Sequence, residues 1–252
     1  VVRSLRRPVR AVERLALRPW PVRRELIGQL LDDARSRDRI ATGLRWRQIA
    51  SADFDRQVPS DLDRIHGFED CYWLFESGPT NCSLSQLRFD EAADLYHRIV
   101  EMDHPRVAEL GRYKGGTTLL LAAAGAEVLS LDNDADGGQQ EFVPALERAL
   151  ARFKLEDRVE PVVADVLDYD VERASFDLVL MHCSPDHELS WGVFRRWWPS
   201  VKPGGAFIFH LSPELPGEVQ MVEELRQDPA WSDVAFEPAP HGENLYAHKL
   251  AP

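Results

Sequence analysis

Residues 106–122 read RVAELGRYKGGTTLLLA. An apolar strand runs to Glu109-Leu110, the chain turns through Gly111, and a helix opens at Gly115-Gly116-Thr117. Glycine lets a ligand approach the backbone closely, and a helix N-terminus offers unpaired N–H groups to a negative group. A tight turn without a ligand asks for much the same residues, so the turn by itself speaks first about fold.

Outward from it, strands and helices alternate. Apolar runs at 107–110, 127–131, 159–163, 176–181 and 206–211 read as short buried strands. Helical patterns occupy 117–124, 144–153, 189–201 and 218–226. Strand–helix–strand repetition means parallel pairing with right-handed crossovers. The last two runs, 234–237 and 245–250, flank a turn at His241-Gly242-Glu243-Asn244 and predict an antiparallel hairpin. The expected class is therefore α/β: a Rossmann-like doubly wound sheet, mostly parallel, closed by a C-terminal antiparallel hairpin, with an N-terminal helical cap.

The domain reading divides the chain into a basic helical arm (1–50), a cap or lid with a lead-in helix (51–104) and a cofactor-binding domain (105–252). In the arm, Leu26, Ile27, Leu30 and Leu31 recur at helical spacing. The second segment is aromatic, with Phe54, Phe68, Tyr72, Trp73 and Phe75, and ends in a turn-like stretch at 77–81. Tyr72, Trp73 and Phe75 are read as a lid over an acceptor. A helix follows over 90–102.

The next strand after the glycine turn ends at Asp132, twenty-one residues beyond Gly111, where an acid in a doubly wound sheet accepts from the ribose hydroxyls of a nucleoside. A third strand ends at Ala164-Asp165, placing a carboxylate for an adenine amino group. The glycine spacing departs from the dinucleotide pattern G-x-G-x-x-G, which weakens a nicotinamide oxidoreductase reading.

ELGRYKGGTT, LDND, VVAD, FDLVLMH and WWPSVKPGGAFIFH together resemble the class I S-adenosylmethionine-dependent methyltransferases, nearest to the sugar and macrolide O-methyltransferases of natural-product and glycan pathways. The resemblance covers about residues 68–252. It implies that Glu109, Gly111, Gly115 and Gly116 hold the methionine moiety of S-adenosyl-L-methionine, Asp132 the ribose and Asp165 the adenine; Thr117, at the start of the same helix, is counted with the cofactor-binding residues.

Ligands in such sheets bind beyond the carboxyl ends of the strands. Those places hold His182-Cys183-Ser184-Pro185-Asp186-His187 and His210-Leu211-Ser212. The resemblance implies metal-binding carboxylates after the fourth and fifth strands and a histidine base soon after the fourth; here His182 and His210 stand at the carboxylate positions. Imidazoles argue against magnesium. A softer metal on His182, His210 and Asp186 is the alternative to the preferred reading, metal-independent O-methylation of a small molecule with His187 or His182 as base. A second function class keeps the donor but not the chemistry: a catalytically altered scaffold.

Composition bounds the rest. The net charge of -12 over 252 residues sets nucleic acid aside as main partner. Three scattered cysteines point to a reducing, cytoplasmic setting. Residues 1–50 hold thirteen Arg, no Lys and five acids, so residues 1–21 are expected to make at most a weak contact with an anionic membrane surface or another subunit. A homo-oligomer is expected.

Overall fold

A computed structural model describes residues 54, 58–75, 84–85, 87–133, 142–183, 186–211, 216–240 and 242–251. The arm at 1–50 with its helical stripe, the turn at 77–81, Ser184, Pro185, Ser212 and His241 lie outside the described residues.

Seven strands form one sheet: β1 Arg106–Leu110, β2 Glu127–Asp132, β3 Val159–Val163, β4 Phe176–Met181, β5 Val201–His210, β6 Val234–Pro238 and β7 Asn244–Lys249, in the order β3-β2-β1-β4-β5-β7-β6. The first five pair in parallel, and β7 runs antiparallel between β5 and β6. The helices are α1 Phe89–Val100, α2 Gly116–Ala123, α3 Phe142–Phe153, α4 His187–Trp197 and α5 Pro216–Gln227. The fold class expected from the alternating pattern is the one observed.

Strand alternation sorts the core onto two faces. Val107, Leu178, Leu180, Ala206, Ile208 and Tyr246 pack against α1, α2 and α3. Ala108, Leu110, Val179, Met181, Phe207, Phe209 and Leu245 pack on the other face against α4 and α5. Trp191, Trp197 and Trp198 belong to that second core, as core packing of one helix predicts. Among the described residues no helix is long and apolar enough to cross a membrane.

The reading of the aromatic segment changes. Tyr72, Trp73 and Phe75 lie in a 3-10 helix, Phe68–Phe75, and are at most 2% exposed. They meet Phe89, Phe54 and Phe153 edge-on or tilted, so these rings are core and not a lid. Within β5, register with β4 jumps from Phe176–Val201 to Leu178–Ala206, and Lys202-Pro203-Gly204-Gly205 leave the pairing as an irregularity with Gly204 at φ +83°.

Candidate functional site

In the strand order the direction of winding reverses between β1 and β4, which opens a crevice at their carboxyl ends. Gly111 and His182 face each other across it. The His182 amide donates to the Leu110 carbonyl (2.8 Å), and the Gly111 amide donates to the Leu131 carbonyl (2.9 Å). Gly111 has φ +98°, and a Cβ there would lie 2.7 Å from the His182 carbonyl oxygen. Glycine is thus required twice, by backbone sign and by the approach of β4.

The other loop residues are placed differently from one another. Gly115 is also left-handed, and a Cβ there would lie 2.7 Å from a Leu146 methyl of α3, which would have to shift. The Gly116 amide donates to the Leu84 carbonyl (3.1 Å), and a Cβ there would lie 2.2 Å from the Leu84 carbonyl carbon. The Thr117 hydroxyl sits 3.0 Å from that of Ser85, both buried. A strap at residues 84–85 therefore crosses the start of α2 and takes the contacts that a ligand reading assigned to Gly116 and Thr117.

Glu109 is fully buried beneath the loop. One carboxyl oxygen accepts from Thr118 (2.5 Å) and Ser130 (2.7 Å), while its Oε1 has no partner. Burial raises its pKa from 4.5 to about 7, against the hydrogen bonds from Thr118 and Ser130 and the charge of Arg112. A carboxyl raised in this way holds its proton in the native state after the unfolded chain has released it. Its contribution to stability is fully present below the unfolded value and is lost as pH rises through the native one. Glu109→Gln keeps an acceptor for both hydroxyls and removes the titration. We expect denaturant unfolding of the variant to lose the part of the pH 4.5–7 decline that this carboxyl causes, worth up to ~3 kcal/mol. Parallel profiles for native and variant would contradict it.

At the end of β2 the Asp132 Oδ2 accepts from the Tyr113 amide (2.7 Å), which fixes a half-buried carboxylate at the mouth of the crevice. Asp165 is exposed and accepts from the Leu167 amide (2.8 Å). Sequence reasoning missed Arg112. Its guanidinium, 3% exposed, donates to the carbonyls of Ser130 (2.9 Å) and Val162 (3.1 Å), tying the ends of β2 and β3 together just before the two acids. A charged residue inside a glycine turn was the available signal.

At the carboxyl ends of β4 and β5 the structure brings two of the histidines together. The rings of His182 and His210 meet edge to face at 5.2 Å. His182 Nε2 is buried without a partner, and burial, then the neighbouring His210, hold its pKa at about 3. His187 is placed elsewhere: Asp186 caps α4 by accepting from the Leu189 amide (2.9 Å), so His187 already lies in the helix, with Nε2 2.9 Å from Glu224 of α5. Glu224 also accepts from Trp191 Nε1 (2.9 Å), and the hydrogen bonds from Trp191, Gln220 and His187 hold its pKa at about 2. The same carboxylate raises the pKa of His187.

Asp186, spent as a cap, does not join a metal group with His182 and His210. Among the described residues the group of suitable geometry is Glu91, His210 and Glu243, whose ligand atoms lie within 4.8 Å of one another.

Residues 108–210 match the family model of a methyltransferase domain. Over that segment the match supports the resemblance to methyltransferases, and not its narrower branch. Among solved structures, a methyltransferase from Geobacter sulfurreducens superposes with a TM-score of 0.50 at 21% identity, covering 64% of this chain and 78% of that one. An S-adenosylmethionine-dependent O-methyltransferase from Thermotoga maritima gives 0.49 at 18%, covering 66% and 67%. The O-methyltransferase TomG from Streptomyces achromogenes, solved with S-adenosylmethionine, gives 0.49 at 17%, covering 67% and 83%. At these identities the Geobacter structure speaks for the fold and no more. No curated protein sequence matches the chain.

Proposed function

We propose that the chain is an S-adenosylmethionine-dependent methyltransferase acting on a hydroxyl of a small molecule. The observation that carries this reading is the crevice at the reversal of strand order, with the left-handed Gly111 at its base and carboxylates at the ends of β2 and β3. A nucleoside with a sulfonium tail has the matching chemistry. Asp132 would accept from the ribose hydroxyls, Asp165 from the adenine amino group, and Gly111 lets the methionine part approach the backbone.

Methyl transfer needs the nucleophile, the methyl carbon and the leaving sulfur in line, so positioning supplies much of the rate. The hydroxyl oxygen bonds to the methyl carbon, the carbon–sulfur bond breaks, and the hydroxyl proton leaves to a base. Of the three histidines, we assign this task to His182, because its ring nitrogen is the one the fold leaves unpartnered. Its Nε2 is buried and unpartnered, His187 Nε2 is held by Glu224, and the His210 ring lies among Asn244, Glu91 and Glu243. A reluctant base is compatible with late proton transfer, because an oxygen that has gained the methyl while keeping its proton is a strongly acidic oxonium.

The test is transfer of a labelled methyl group from S-adenosylmethionine to a panel of sugar-bearing and phenolic acceptors. For an acceptor that the native chain methylates, His182→Ala is expected to lower kcat by ~100-fold or more with donor affinity unchanged. His187→Ala is expected to stay near native. Donor binding with no methylation of any acceptor would favour the scaffold reading, and equal activity in His182→Ala would remove that residue as base.

A further inference from the structure

We infer that Glu91, His210 and Glu243 form a site for a borderline first-row divalent cation such as zinc or iron(II). The two carboxylates come from places that no local motif connects. Glu91 is fully buried in the first turn of α1, and Glu243 lies in the turn that leads into β7. Pairing of β7 with β5 brings that turn beside His210, with the Leu211 amide donating to the Glu243 carbonyl (2.8 Å).

The second layer is already built. Glu91 is held from both sides, Oε2 accepting from the Arg88 amide (2.7 Å) and Oε1 from the Glu243 amide (2.6 Å). Each of these oxygens keeps a lone pair. His210 Nδ1 lies 3.2 Å from Asn244 Oδ1, and its amide donates to Glu218 Oε1 (2.7 Å). If Nδ1 donates to Asn244, Nε2 is left as a lone pair on the Glu243 side. A metal-bound imidazole is oriented in this manner, its second nitrogen donating to an oxygen.

The spacings distinguish a cation site from an ion pair. His210 Nδ1 is 3.7 Å from Glu91 Oε2, and Nε2 is 3.8 Å from Glu243 Oε2. A charged imidazole hydrogen-bonded to a carboxylate closes to ~2.7–2.9 Å. Two ligands of one tetrahedral ion at ~2.0–2.2 Å stand about 3.3–3.6 Å apart; with Nε2 as the ligand, the Glu243 separation of 3.8 Å is close to that, and one ligand atom from each of the three residues lies within 4.8 Å of the others, so Glu91 and the ring draw together on binding. The Arg88 guanidinium stands 3.9 Å from Glu243 and nearer to Asp90, at 3.3 Å.

An independent observation points to the same place. Three residues in contact with His210 carry buried polar atoms without partners: His182 Nε2, Asn244 Nδ2 and Glu218 Oε2. Asn244 is 3% exposed and Glu218 fully buried. Unsatisfied groups of this kind are rare in a folded interior, and their collection around one ring marks a place built for a polar occupant. An imidazole with two carboxylates suits zinc, iron(II) or cobalt better than magnesium. The ligand set differs from the one the family resemblance implies, because the strand-end positions are histidines and the carboxylates come from α1 and the β7 turn.

The test uses the full chain, stripped with a chelator and titrated with Co(II), Zn(II) and Mg(II) by calorimetry and visible absorption. One equivalent of Co(II) should bind with a ligand-field band that Zn(II) abolishes, while Mg(II) neither binds nor competes. Glu243→Gln, and Asn244→Ala behind the ring, should each weaken Co(II) by ~10–100-fold or more. Glu91 is left intact because it also holds two backbone amides. Absence of Co(II) uptake by the native chain, or equal affinity in Glu243→Gln, would overturn the site. S-adenosylhomocysteine binding measured on the same stripped protein reports separately on the methyltransferase reading.

Discussion

Asp132→Ala is expected to weaken S-adenosylhomocysteine binding by ~100-fold or more. The carboxylate at the end of β2 is anchored on one side by the Tyr113 amide at 2.7 Å and would take two ribose hydroxyls with the rest of its acceptor capacity. Hydrogen bonds to a charged group contribute ~1.5–3 kcal/mol each; losing two therefore costs about 3 kcal/mol or more, which is two decades in Kd. Asp132→Asn keeps an acceptor for Tyr113 and loses the charge, so it should lie between native and Ala. Calorimetric titration of the three proteins checks the order. Equal affinities would mean that the nucleoside does not sit on this strand end.

Gly116→Ala should be the most damaging single methyl in the loop. The added carbon would lie 2.2 Å from the Leu84 carbonyl carbon, 2.3 Å from its oxygen and 2.5 Å from the Ser85 nitrogen, all backbone atoms. No side chain can rotate away to relieve this, so either the strap lifts or α2 shifts. Overpacking of this kind costs about 3 kcal/mol or more, equivalent to a melting temperature ~6–12 °C lower for a chain of this size. Lifting the strap would also separate Ser85 from Thr117, which the structure places 3.0 Å apart. A variant melting within a degree of native would show that the 84–85 contact is dispensable.

The sheet was legible in the sequence because each strand is a short apolar run bounded by turn residues, and buried parallel strands produce that signal directly. Its hairpin was legible for the same reason. Helix starts were less so: capped by Asp186, α4 begins at His187, two residues earlier than the apolar pattern suggested, and that shift commits His187 to Glu224. The aromatic segment before α1 showed its composition but not its depth, since rings in a core and rings over a cleft look alike in sequence. Gly111 and Asp132 were readable from spacing. The surroundings of His210 were not, because Glu91, Glu218, Glu243 and Asn244 arrive from α1, α5 and the β7 turn through pairing and packing that no sequence window contains.

Whether the crevice between β1 and β4 holds a sulfonium nucleoside is decided by titrating the native chain with S-adenosylhomocysteine in a calorimeter. Saturable binding at one site per chain is expected. No heat of binding at high micromolar ligand, from protein shown to be folded, would contradict it.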